Sequence, residues 1–158
     1  MSALSRRSFV AALPFVFVAC SSQAGGARET VSDKKSSTLA VYKTPSCGCC
    51  NAWVEHVKGA GFDVRTIEVA DTAPIADQYA VPRALRSCHT AIVGGYAIEG
   101  HVPAREIRRL LEERPDVAGL AVPGMPIGSP GMEMGDRRDP YQVIAFNRNG
   151  QARVFANY

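Results

Sequence analysis

Leu39-Ala40-Val41-Tyr42-Lys43-Thr44-Pro45-Ser46-Cys47-Gly48-Cys49-Cys50-Asn51-Ala52-Trp53-Val54-Glu55-His56-Val57-Lys58 is the stretch that decides the fold. Its first five residues are branched, aromatic and apolar enough for a short strand. Thr44-Pro45-Ser46 reads as a turn that ends in a helix cap just before the cysteines. Cys50, Trp53, Val54 and Val57 then fall at i, i+3, i+4 and i+7, so a helix is expected over 49–58, stopped by Gly59 to Gly61. Three thiols thus sit within one turn of a strand-to-helix junction. There, free backbone N–H groups and the helix dipole stabilise thiolates.

Downstream, Phe62, Val64, Ile67 and Val69 alternate with charged residues as in a second strand, and 73–86 holds a short helix and then Pro82. Thr90 to Val93 and Tyr96 to Glu99 flank Gly94-Gly95, a two-residue hairpin turn. Ala104 to Glu113 puts Ile107, Leu110 and Leu111 on one face with arginines outward, an amphipathic helix ending at Pro115. Residues 119–136 are so rich in Gly and Pro that no regular structure is expected. The loop's Met125, Met132 and Met134 have little core to fill, so it is expected to fold over the cysteines as a lid. A second hairpin closes the chain around Asn147 to Gly150. The order of elements gives an α/β (α+β) fold resembling thioredoxin and glutaredoxin domains, a central mixed sheet flanked by helices. In glutaredoxins a Val-Pro pair precedes the hairpin strand and packs against the cysteine motif. Cys88-His89 hold the equivalent positions here, so Cys88 is expected to face Cys47 and Cys50.

Upstream, Ser5-Arg6-Arg7-Ser8-Phe9 followed by the apolar run Val10 to Ala19 has the form of a twin-arginine export signal. Phe17-Val18-Ala19-Cys20 resembles a lipoprotein cleavage box. Cys20 is therefore either lipidated, anchoring the chain to a bacterial envelope membrane, or removed with the signal. Residues 21–38 are polar, small and aperiodic, a flexible tether, and leave 39–158 as one domain. With 46% apolar and 21% charged residues in 158, that domain can bury a core. The formal charge of +3 gathers at the N-terminus and on the Arg105 to Arg114 helix, which argues against a nucleic-acid partner. No apolar run reaches the roughly 20 residues of a membrane span.

Export places four remaining thiols where disulfides form. Cys47, Cys49, Cys50 and Cys88, with the imidazoles of His89 and His101 and the thioethers of Met125 and Met132, are donors suited to Cu(I), and no carboxylate belongs to the set. Cys49 is superfluous for disulfide exchange and useful for bridging soft ions. Trp53 is expected to pack beneath the motif, and His56, about 10 Å along the helix from Cys49, to be a surface side chain.

Four motifs occur in order: Cys47 to Cys50, Ser87-Cys88-His89-Thr90, Glu99-Gly100-His101-Val102-Pro103, and Gly124-Met125-Pro126 through Gly128-Ser129-Pro130-Gly131-Met132. Together they resemble the bacterial CopG-type copper-resistance proteins from about Thr38 to the C-terminus. The resemblance implies several copper ions in a thiolate-bridged cluster, a role in copper tolerance in the periplasm alongside other envelope copper-handling proteins, and interconversion of Cu(I) and Cu(II), which is oxidoreductase chemistry. Two other readings of the same residues stand beside it. One is a thiol-disulfide oxidoreductase using Cys47 and Cys50 with Cys88 as resolving thiol; the other is a zinc or iron-sulfur protein with four cysteine ligands.

Overall fold

The computed structural model describes residues 38–158; the export signal, Cys20 and all of the tether except Thr38 lie outside the described residues. Among the described residues seven strands and three α-helices follow in the order β1 (Leu39–Lys43), α1 (Gly48–Gly59), β2 (Val64–Glu68), α2 (Ala73–Gln78), β3 (His89–Val93), β4 (Tyr96–Gly100), α3 (Ala104–Glu113), β5 (Gly119–Val122), β6 (Gln142–Phe146) and β7 (Ala152–Asn157), with a 3-10 turn at Arg83–Leu85 before β3. They build one mixed sheet in the order β2-β1-β3-β4-β5-β6-β7. β1 runs parallel to β2 through the α1 crossover and antiparallel to β3, and β4 runs parallel to β5 through α3. The α+β class and the mixed sheet expected from the sequence are therefore present, as is the closing hairpin of β6 and β7.

Alternation along the strands assigns the two faces. Leu39 and Val41 of β1, Ala91 and Val93 of β3, and Ile98 of β4 bury against Trp53, Val54 and Val57 of α1 and Ile107 and Leu110 of α3. Ala97, Ala121 and Phe146 point the other way, onto Ala76 and Val81 at α2. Both long helices thus cover one face, and the N-terminus of α1 lies at the end of the sheet where the inner strand β3 begins.

The structure departs from the sequence expectations at three places. Gly119–Val122 is a strand, although it opens a Gly/Pro-rich stretch; all four residues are buried, and pairing with β4 and β6 satisfies the backbone that composition left unassigned. The N-cap of α1 is Cys47 and not Ser46, and it makes no side-chain capping bond to the first-turn N–H groups. His56 is half-buried, and its Nε2 accepts the Ala104 N–H at 3.1 Å, acting as the missing cap of α3, whose N-cap is Pro103. Among the described residues no helix is long and apolar enough to cross a membrane.

Candidate metal centre

The α1 N-terminus and the start of β3 bring four sulfurs into one pocket. Donor atoms of Cys47, Cys49, Cys50 and Cys88 lie within 4.8 Å of one another, and those of Cys88, His89 and His101 form a second such group. Cys88 belongs to both groups. Its Sγ lies 3.8 Å from Cys49 Sγ, 3.4 Å from His89 Nδ1 and 3.2 Å from His101 Nε2. Cys47 and Cys50 are joined as a disulfide, while Cys49 and Cys88 are free and half-buried.

Each side chain has an identifiable support. Glu99, almost fully buried on β4, accepts the Ser87 N–H on one carboxylate oxygen and the Thr90 hydroxyl on the other, both at 2.7 Å. These two bonds brace the Ser87–Thr90 segment on either side of Cys88 and His89. Burial pushes the Glu99 carboxyl above the usual carboxylate range, and its two donors oppose that shift. Next to it Gly100 has φ +67°, and a Cβ there would lie 2.7 Å from Ser87 Oγ and 2.8 Å from Val122 O, so only glycine lets the two segments meet.

His101 Nδ1 lies 2.8 Å from the Pro130 carbonyl. A carbonyl only accepts, so Nδ1 carries the proton and Nε2 presents a lone pair toward Cys88, the arrangement that orients histidine ligands in metal sites. Burial holds the His101 imidazole below its ordinary 6.5, which keeps it neutral and able to donate that lone pair. His89 is fully buried, tilted against the Trp53 ring at 4.4 Å and edge-on to His101 at 5.3 Å. Burial, reinforced by repulsion from His101, lowers it to about 3, and its Nε2 has no hydrogen-bond partner. Trp53 anchors this layer from below, donating Nε1–H to Val102 O at 2.9 Å. Burial, with repulsion from Cys49, pushes the Cys88 thiol up to about 12, so a free Cys88 thiolate is costly until a cation neutralises it.

The loop after β5 covers this pocket from one side. Gly131 has φ +82°, and a Cβ on it would lie 2.6 Å from Trp53 N and 3.0 Å from Cys49 O, so the loop backbone rests directly on the first turns of α1. Met132 follows in a turn, its N–H bonded to Ser129 O at 2.8 Å. Met125 is 41% exposed and Met134 61%, so neither is buried in the core. Sequence reasoning singled out the four cysteines, His89 and His101, which the fold gathers. It assigned no role to Glu99, Pro130 or Gly131, although their motifs were visible, because the role of each depends on a partner 9 to 82 positions away.

The donor set suits a soft metal ion. No carboxylate belongs to either donor group: Glu99 is committed to Ser87 and Thr90, and Glu133 on the covering loop, whose charge acts on His101, accepts the Gly131 N–H. Fold and site together define a small α+β domain with a thiol-rich soft-metal pocket at a helix N-terminus. Residues 85–132 match DUF411, a family described as a protein of unknown function. No curated protein sequence matches. Two solved structures of copper resistance protein CopG are similar: form 2 is 47% identical, with a TM-score of 0.74, over 77% of this chain and 98% of its own. Form 1 is 48% identical, with a TM-score of 0.73, over 77% and 97%. The chain belongs to the CopG-type copper-resistance family.

Proposed function

We propose that this protein takes up copper as its cargo, holding several ions bridged by the thiolates of Cys47, Cys49, Cys50 and Cys88. His101 Nε2 is the first imidazole ligand and His89 Nδ1 the second. Met132 and, further out, Met125 contribute thioethers from the loop. The observation that carries this reading is the convergence of four sulfurs and the His101 lone pair in donor groups that include no carboxylate. Reduction of the Cys47–Cys50 disulfide by two electrons and two protons from an external thiol makes all four cysteines available, and bridging cations offset the repulsion of their thiolates as the protons leave. The protein contributes to copper resistance by sequestration and by interconverting Cu(I) and Cu(II). It acts in the periplasm after twin-arginine export, lipid-anchored through Cys20, and exchanges metal with other envelope copper-handling proteins.

The test is metal quantitation on the reduced protein with copper, zinc and iron offered in competition. Several coppers per chain, falling sharply in Cys49→Ser, support the reading; one metal per chain, or preference for zinc or iron, overturns it. A second reading has a specific observation in its favour, the Cys47–Cys50 disulfide at a helix N-terminus, which is the arrangement of a thiol-disulfide oxidoreductase. That reading requires Cys49→Ser to keep full activity on a disulfide substrate and places no demand on copper stoichiometry.

A further inference from the structure

We infer that the disulfide of this site is mobile, with Cys49 relaying it between the Cys47–Cys50 and Cys49–Cys88 positions by intramolecular thiol-disulfide exchange. Cys49 Sγ lies 3.7 Å from Cys47 Sγ, a bonded sulfur, and 3.8 Å from Cys88 Sγ, a free one. It is the thiol in contact with both.

In the first step the Cys49 thiolate attacks Cys47 Sγ. A Cys47–Cys49 bond forms, the Cys47–Cys50 bond breaks, and its electron pair leaves on Cys50. In the second step the Cys88 thiol gives its proton to the released Cys50 thiolate, whose sulfur lies within 4.8 Å, as the Cys88 sulfur attacks Cys49 Sγ and the electron pair leaves on Cys47. One disulfide enters and one emerges, so no outside oxidant or reductant is needed. Cys47 lies outside the helix, with φ −76° and ψ 93°, so the intermediate joins an extended residue to the first turn. The departing Cys50 has a place to settle, because its Sγ lies 3.5 Å from the Cys88 carbonyl. While bonded it has no proton to give that oxygen; once released as a thiol it does.

Position matters because Cys88 is the sulfur that approaches both imidazoles. With Cys47–Cys50 oxidised, Cys49 and Cys88 remain free beside His101. With Cys49–Cys88 oxidised, that sulfur is withdrawn and Cys47 and Cys50 are free instead. The location of one disulfide thereby decides which half of the pocket can hold a soft ion. The inference rests on sulfur contacts alone and stands whether or not the cargo is copper.

The experiment uses metal-free, reduced protein with a chelator present and one equivalent of an aromatic disulfide, DTNB. In Cys50→Ser, two thionitrobenzoate anions per DTNB are expected, the second from internal closure, and peptide mapping after acid quench and alkylation should find a Cys49–Cys88 link. In Cys49→Ser/Cys50→Ser, closure should be about tenfold slower or more. A persistent mixed disulfide with one anion released from Cys50→Ser, or equal closure rates in the two variants, overturns the relay. Because Cys50 is fully buried, its serine variant can misfold, so unaltered protein oxidised to one disulfide per chain is mapped as well. A Cys49–Cys88 isomer beside Cys47–Cys50 supports the relay, and Cys47–Cys50 alone overturns it.

Discussion

Gly131→Ala tests whether the loop after β5 is part of the metal site or merely lies near it. The new Cβ would sit 2.6 Å from Trp53 N and 3.1 Å from Trp53 Cα, atoms of the α1 backbone that cannot turn aside as a side chain can. Alanine at φ +82° costs roughly 1–2 kcal/mol on conformational grounds alone. Lifting the loop to relieve the overlap breaks the bond from His101 Nδ1 to Pro130 O, worth about 1 kcal/mol net. The strain alone, about 1–2 kcal/mol, shifts the docking equilibrium of the loop by about 5- to 30-fold, and the backbone overlap pushes it further the same way. The global fold is expected to survive, because the sheet and both long helices keep their contacts. Hydrogen exchange should accelerate at the Gly128 and Met132 amides, whose bonds to Met132 O and Ser129 O tie the loop together. Copper affinity should fall by about 10- to 100-fold, as when a metal-bound histidine loses its outer partner. Unchanged copper affinity together with unchanged exchange at those amides would refute the claim that the loop orients His101.

Three further outcomes follow from single contacts. Replacing Glu99 by Gln leaves one acceptor oxygen for two donors, so either the Ser87 N–H meets an amide N–H or the Thr90 hydroxyl becomes an acceptor and its own proton loses its partner at a buried site, costing about 1–3 kcal/mol in denaturant unfolding and weakening copper binding through Cys88; equal stability and affinity would remove its positioning role. His56 has its imidazole held below the ordinary 6.5, chiefly by burial, so the unfolded chain binds the extra proton first: stability is fully present above that value and declines as pH falls below it toward the lowered folded value. His56→Ala should cost about 1 kcal/mol as a lost cap at about pH 8 and flatten this decline at about pH 5, both read from urea unfolding; an unchanged slope would contradict the assignment. Trp53 is the chain's single tryptophan and lies 4.4 Å from the His89 ring, so copper loading should quench its fluorescence in step with metal uptake, and constant emission at full loading would place the metal elsewhere.

Periodicity made α1 and α3 legible in the sequence, because each shows one apolar face, and turn residues at Gly94-Gly95 and Asn147 to Gly150 made both hairpins legible. β5 was not legible. Gly119-Leu120-Ala121-Val122 is short, adjoins a run of glycines and prolines, and becomes a strand because β4 and β6 supply partners on both sides. His56 was misread for a related reason. Distance along its own helix said nothing about α3, whose first turn arrives from nearly fifty residues downstream to take its lone pair. The cysteines were legible as donors because thiols this dense at a helix start have few other uses.

By itself, the sequence determined the chemistry on offer: which side chains can bind a soft ion, that three thiols share one helix turn, and that the donors are sulfur and nitrogen. Only the tertiary structure decided how those groups are employed. Packing of β3 against α1 makes Cys88 the meeting point of both donor groups, the Pro130 carbonyl selects the His101 tautomer, and Glu99 pins the segment between them. The physical reason is that residue type sets a donor's hardness and charge, whereas proton position, burial and contact between sulfurs depend on atoms that the chain brings together only by folding.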